Sequence, residues 1–180
     1  MHYATIKNCD IANGPGVRVS LFVSGCRHRC PGCFNEIAWD FQYGKEFTQN
    51  TIDDILDMLQ PSHIKGLTLL GGEPFEPENQ PAIVELLRQI KSKYPQKSIW
   101  AFSGYLFDKD ILSGQLGPWE ITKEYLSYLD VLVDGPFVMS KKDLSLRFRG
   151  SSNQRLIDVP KSLEQNSIVL WEDWQSDERR

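Results

Sequence analysis

Four short apolar runs, each ending in a turn signal, constrain this chain more than any other feature. Val17–Val23 is rich in β-branched residues and runs into a cysteine-bearing loop. Residues 67–70 stop at Gly71-Gly72, Ser98–Phe102 at Ser103-Gly104, and residues 130–133 at Asp134-Gly135. Short runs of this composition, bounded by such residues, read as buried strands. Residues 155–159 suggest a fifth. Between the strands the period changes. Thr51 suits a helix N-cap with Asp54 three residues on, and Ile52, Ile55, Leu56 and Leu59 follow at helical spacing. Pro81 suits a first helical turn before the stripe of Ile83, Leu86, Leu87 and Ile90. Residues 108–129 read as a further helical region.

Strand–helix alternation predicts a parallel sheet with helices packed on it. A closed eightfold barrel needs about 250 residues, and this chain has 180. The expectation is therefore an α/β fold: a partial, incomplete β/α barrel with a mostly parallel, curved sheet of about five or six strands. Its side stays open. Residues 1–160 would form one domain and residues 161–180 a C-terminal extension. In that extension Trp171-Glu-Asp-Trp174 reads as a contact for a partner or, in preference, as a frayed, solvated end.

The four turns then fall where this architecture places function. Turns that follow parallel strands crowd one rim, the C-terminal edge of the sheet, and active sites form there. The cysteine loop, Gly71-Gly72-Glu73-Pro74, Ser103-Gly104-Tyr105 and Asp134-Gly135-Pro136 would share it.

The cysteine loop carries the sharpest chemistry. Cys26, Cys30 and Cys33 lie within eight residues as C-x3-C-x2-C, followed by Phe34. Thiolates are the usual ligands of iron–sulfur clusters. Three of them hold three corners of a 4Fe–4S cube and leave the fourth iron open. The competing structural reading is zinc, which needs four ligands. His28 sits too tightly between two of the cysteines to reach the same ion, and the remote Cys9 reads as a small buried residue. Asn13-Gly14-Pro15-Gly16-x-Arg18 reads by itself as a tight turn feeding a strand. Asp134 suits a ribose hydroxyl, a cation or the backbone of its own turn.

C-x3-C-x2-C before an aromatic residue, with Gly-Gly-Glu-Pro after the next strand, resembles the radical S-adenosylmethionine enzymes. The Gly-Pro-Gly element before the first strand is similar to that of the activating enzymes for glycyl-radical proteins. Arg149-Gly-Ser-Ser-Asn-Gln-Arg155 resembles the C-terminal motif of those activases that serve the anaerobic ribonucleoside-triphosphate reductases. Phe47-Thr48, Ile99-Trp100 and residues 131–135 agree with the same group. Two positions depart from the pattern of some members: Pro136 stands where they have Lys, and Glu73 where they have Asp.

The resemblance implies a 4Fe–4S cluster on Cys26, Cys30 and Cys33, with S-adenosylmethionine completing the open iron. Gly32, Cys33, Phe34, Gly72 and Glu73 would line that cofactor, and Ser103 and Asp134 are counted with them. Reductive cleavage would yield a 5′-deoxyadenosyl radical that takes a hydrogen atom from a glycine near the reductase C-terminus. A flavodoxin-type protein would supply the electron. Cluster and cofactor carry the chemistry, so no side chain is assigned as catalytic acid or base. The rivals are an activase for another glycyl-radical enzyme, such as pyruvate formate-lyase, and a non-catalytic zinc or iron–sulfur module.

A net charge of −4 argues against nucleic acid as a partner. No apolar stretch reaches the length of a membrane span. The first residues lack an export signal, so the cytoplasm is the expected location.

Overall fold

A computed structural model describes residues 1–172. Seven strands form one sheet: β1 (His2–Asp10), β2 (Val17–Val23), β3 (Lys45–Glu46), β4 (Ile64–Gly71), β5 (Ser98–Phe102), β6 (Val131–Asp134) and β7 (Arg155–Asp158). Their order is β3-β1-β2-β4-β5-β6-β7. The helices are α1 (Gln49–Leu59), α2 (Gln80–Lys93), α3 (Trp119–Tyr128) and α4 (Val159–Gln165). No helix among the described residues is long and apolar enough to cross a membrane.

The α/β class holds, but the sheet is mixed rather than mostly parallel, and it has seven strands instead of five or six. The pairs β2–β4, β4–β5 and β5–β6 are parallel. The pairs β1–β2, β1–β3 and β6–β7 are antiparallel. The helical connections α1, α2 and α3 precede β4, β5 and β6, and crossovers of that length return the chain in the same direction. β1 reaches β2 through the short Asn13–Gly16 turn, which permits only reversal. β1 escaped the sequence reading because its half-exposed, polar composition lacks a buried strand's apolar run. The sheet is open, with β3 and β7 at its edges.

Three further expectations shift. α1 starts at Gln49 with Thr48 as N-cap; Thr51 is the cap's partner, accepting a hydrogen bond from the Thr48 N–H at 3.3 Å. Residues 108–129 are not one helical region. A π turn covers Phe107–Ile111, and α3 begins only after Gly114, Gly117 and Pro118, which interrupt helical geometry. Cys9 is exposed on β1 rather than buried.

Residue 171 is not frayed either. The Trp171 N–H donates to Leu156 O at 2.8 Å, and its ring meets Trp100 edge-on at 4.9 Å. Trp174 lies outside the described residues. α4 spans residue 160.

Strand alternation divides the core in two. Val19, Leu21, Leu67, Leu69, Ile99, Ala101 and Leu132 pack with α1, α2 and α3 in the large cluster. The intervening Trp100, Val131 and Val133 form a smaller cluster with Phe102, Phe148, Leu156 and Trp171. This second face carries the fully buried Arg18.

Candidate functional site

The C-terminal rim is stitched together by its own backbone. The Gly72 N–H donates to Val23 O at 2.7 Å and the Glu73 N–H to Gly25 O at 2.8 Å. The Ser103 N–H donates to Val133 O at 2.9 Å. A side chain at Gly72 would drive Cβ to 2.6 Å from Gly25 O and 3.0 Å from Ala38 O. Glycine there is what lets the turn after β4 lie flat against the start of the cysteine loop.

Glu73 is the hub. It is 1 % exposed, and its two oxygens take four donors. Oε1 accepts from the Phe75 N–H and the Ser103 hydroxyl, both at 2.9 Å. Oε2 accepts from the Gly104 N–H at 2.7 Å and lies 3.1 Å from His28 Nε2. A buried carboxylate survives only when so engaged. His28 also packs on Tyr105, ring centroids 4.2 Å apart. Burial works to lower the His28 pKa, but the hydrogen bond and charge of Glu73 outweigh it and hold it above the usual value. Three residues on, Glu76 accepts from the Arg27 N–H at 2.7 Å and pairs with its guanidinium. Two carboxylates from one turn thus grip two consecutive residues of the cysteine loop.

These elements enclose a cavity of about 450 Å³. Cys26, Cys30 and Cys33 line it, as do Gly32, Phe34, Gly72, Glu73 and Ser103. Asp134 does not. It is fully buried behind the wall, where Oδ1 accepts from Arg155 Nε at 2.9 Å and Oδ2 from the Phe107 N–H at 2.8 Å. Gly32 has φ +74°, and a Cβ there would collide with the Met139 methyl. The opposite wall comes from residues 137–150, the connection between β6 and β7. Leu144, Leu146 and Phe148 face the cavity, with Lys142 and Arg149 beside them.

Sequence reasoning overlooked His28 and Glu76 as anchors and passed over the part of this connection before Arg149. Its apolar residues recur at every second position, Leu144, Leu146 and Phe148, which was the available signal. The Asn13–Arg18 motif is explained by packing. Arg18 donates through Nε to the Thr68 hydroxyl at 2.8 Å, which donates in turn to Asn13 O at 2.8 Å. Arg18 Nη1 and Nη2 reach Ser98 Oγ and O at 2.9 Å, and Nη2 also reaches Leu67 O at 2.8 Å. Burial pulls the Arg18 pKa down to about 10. The latch sets Asn13 against the cavity wall.

The three thiols are free and half-buried. Burial pushes the Cys26 thiol up to about 12, against the opposing pull of the His28 and Arg29 N–H groups. It raises Cys30 as well, opposed by the Phe137 N–H. The Asn35 N–H points at Cys33 Sγ at 3.4 Å. Backbone donors aimed at sulfur in a partly desolvated loop suit thiolates whose charge is taken up by iron. Among the described residues no three His, Cys, Asp or Glu side chains gather closely enough to hold a single metal ion. A cluster asks instead for separate thiolates, one on each iron that the protein holds, and the three thiols line one shared cavity.

A family described as a 4Fe-4S single cluster domain matches residues 12–157. The chain is thus an α/β protein with a single-cluster iron–sulfur domain. The anaerobic ribonucleoside-triphosphate reductase-activating protein of Enterobacteria phage T4 is 44% identical over 156 residues, covering 87% of this chain and 93% of the relative. The protein of the same name from Escherichia coli K12 is 42% identical over 156 residues, with 86% and 96% covered. That of Vibrio cholerae is 40% identical over 157 residues, again with 86% and 96% covered. The chain belongs to the family of anaerobic ribonucleoside-triphosphate reductase-activating proteins.

Proposed function

We propose that this chain activates an anaerobic ribonucleoside-triphosphate reductase by making a glycyl radical on it. The observation that carries the reading is the convergence of three thiols and the Gly72-Glu73 turn on one cavity. That cavity lies at the C-terminal ends of β2, β4, β5 and β6, which we read as the incomplete barrel.

Cys26, Cys30 and Cys33 would hold a 4Fe–4S cluster through three irons. When bound, the reduced cluster and S-adenosylmethionine together supply methionine and a 5′-deoxyadenosyl radical that takes a hydrogen atom from a glycine near the reductase C-terminus. The chain's own work is placement. Glu73 and Glu76 fix the cysteine loop through His28 and Arg27. Gly32, Cys33 and Phe34 border the cofactor from one side, Gly72, Glu73 and Ser103 from the other. The Glu73 carboxylate already holds four donors, so its part is to set the Gly72 and Gly104 backbone at the right distance. Asp134 acts from behind the wall by holding Arg155 and the Phe107 turn. Leu146 and Phe148 form an apolar wall that keeps water from a reactive radical. A glycyl radical is stabilised by its flanking amide and carbonyl, so hydrogen transfer to a primary alkyl radical runs downhill.

The test is anaerobic reconstitution with iron and sulfide, reduction in the presence of S-adenosylmethionine, and mixing with the reductase. We expect 5′-deoxyadenosine and a glycyl-radical doublet in paramagnetic resonance. Absence of both, with the cluster present and reduced, overturns the reading.

A further inference from the structure

Phe148 stands in the cavity wall with φ +56°. A bulky residue in the left-handed region is a backbone outlier, and it persists only where its surroundings hold it. Three groups surround the ring. Trp100 meets it edge-on, ring centroids 5.5 Å apart. Trp171 meets it at 6.4 Å and closes on Trp100 at 4.9 Å. The Arg147 guanidinium lies 5.0 Å from the ring centre.

The two tryptophans come from different parts of the chain. Trp100 is on β5, 2 % exposed, with Arg18 against its other neighbours. Trp171 arrives by a separate route. The Asp158 N–H donates to Val169 O at 2.9 Å and the Trp171 N–H to Leu156 O at 2.8 Å, so residues 169–171 run antiparallel beside β7. Trp171 lies beyond residues 12–157, the span that matches the iron–sulfur family.

From this we infer that Trp171 is a positioning residue: with Trp100 it clamps Phe148 in its left-handed conformation and so sets the apolar wall of the cavity. The inference rests on the proposed function above and adds the C-terminal segment to the site. Edge-on aromatic pairs attract beyond the area they bury, and here three of them close on one another. That attraction offsets the strain in the Phe148 backbone. Without Trp171 the ring loses one partner, and the backbone relaxes toward negative φ. A rotation of that size carries the side chain away from the cavity. The bonds just after Phe148 register the change. Gln154 Oε1 accepts from the Gly150 N–H at 2.8 Å and the Ser151 N–H at 3.1 Å, and Arg149 Nη1 donates to Gln154 O at 2.9 Å.

The experiment compares the full chain with Trp171→Leu, Trp171→Phe, Phe148→Gly and the double variant Phe148→Gly/Trp171→Leu. Leucine keeps apolar bulk without an aromatic edge, phenylalanine keeps the edge, and glycine takes positive φ without strain. Amide exchange of the apo chain is read first. We expect Trp171→Leu to speed exchange at Gly150 and Ser151 about 5-fold and Trp171→Phe to leave it near the wild-type rate, with the β4 amides unchanged in both. The chain reconstituted with iron and sulfide is then reduced with S-adenosylmethionine and the reductase in buffer holding carbon-deuterated glycerol. Where the wall is loose, glycerol reaches the 5′ carbon and gives up a deuterium atom. One C–D bond breaks, another forms, and the unpaired electron is left on a glycerol carbon. Deuterium in the 5′-deoxyadenosine should rise about 3-fold in Trp171→Leu and in Phe148→Gly, and no further in the double variant. Unchanged exchange, or unchanged deuterium, in Trp171→Leu overturns the clamp. So does a double variant with more deuterium than Phe148→Gly, because Trp171 then acts apart from Phe148. Lost protection along β4 in Trp171→Leu overturns it as well, since the residue then holds the whole sheet. A wild type that reduces its cluster but forms no 5′-deoxyadenosine overturns the proposed function alone, and the exchange result still decides the clamp.

Discussion

The two faces of the sheet are held by different forces. The face covered by α1, α2 and α3 is filled with Leu, Ile and Val side chains and is stabilised by burial of apolar area. The other face has fewer buried apolar residues, Trp100, Val131 and Val133 in one cluster with Phe22 and Leu70 besides, and beside them a buried cation. Arg18 lies 5.6 Å from the centre of the Trp100 ring and ties three strands by hydrogen bonds. Where helices cover a sheet, volume and hydrophobicity suffice. Where a cavity must stay open, directional bonds have to do the holding, because nothing apolar fills the space.

That contrast predicts which substitutions cost chemistry and which cost stability. The largest effect belongs to the cysteine loop. Cys30→Ala should leave the apo chain's unfolding midpoint unchanged and abolish 5′-deoxyadenosine formation, with iron and sulfide content falling; retained activity would remove Cys30 from the ligand set. On the helix-covered face, Leu87→Ala should lower stability by about 2–5 kcal/mol, the usual cost of a buried cavity. Denaturant unfolding of the apo chain measures it, and a change under 1 kcal/mol would show that this face relaxes to fill the gap. Arg18→Met removes hydrogen bonds from a charged group but also a desolvation penalty. We expect a net loss of about 2 kcal/mol and a looser Asn13 turn, seen as faster amide exchange there. A stabilised variant would show that the polar face is held by shape alone.

The smallest effect is at the edge of the rim. Arg155 bonds to Asp108 at 2.7 Å and holds its carboxyl below the usual 3.8, mainly through that hydrogen bond. A depressed folded-state pKa contributes stability above the unfolded value, and this is lost as pH falls through the folded one. Asp108 is 37 % exposed, so solvent screening limits the contribution to under about 0.5 kcal/mol. Asp108→Asn should therefore flatten acid unfolding only slightly, and a large change would mean that Arg155 depends on Asp108 more than on the buried Asp134.

Much of this was legible in the chain. β2 and β5 have the bounds that apolar runs and turn signals indicate, because buried parallel strands write their burial directly into composition. The four rim turns converge as strand–helix alternation requires. β1 and β3 were not legible. β1 is a half-exposed strand and β3 is two residues long, and their pairing partners, not their own side chains, define them. The site divides in the same way. Cys26, Cys30 and Cys33 announce themselves by spacing. Glu73 lines the cavity, but its oxygens also accept from the Phe75 N–H two residues on and meet Ser103, Gly104 and His28, three groups that reach it only after folding.

By itself the sequence determined the α/β class, the rim on which the four turns gather and the three thiols that line its cavity. Those depend on local periodicity and on side-chain chemistry, which a chain carries unfolded. Only the tertiary structure decided that the sheet is mixed, that Arg18 is a buried latch and that Asp134 stands behind the cavity wall. Each of these pairs residues far apart in the chain, from Arg18 with Ser98 to Glu73 with Ser103. Such pairings are set by which backbone surfaces can be buried together, and no local pattern records that.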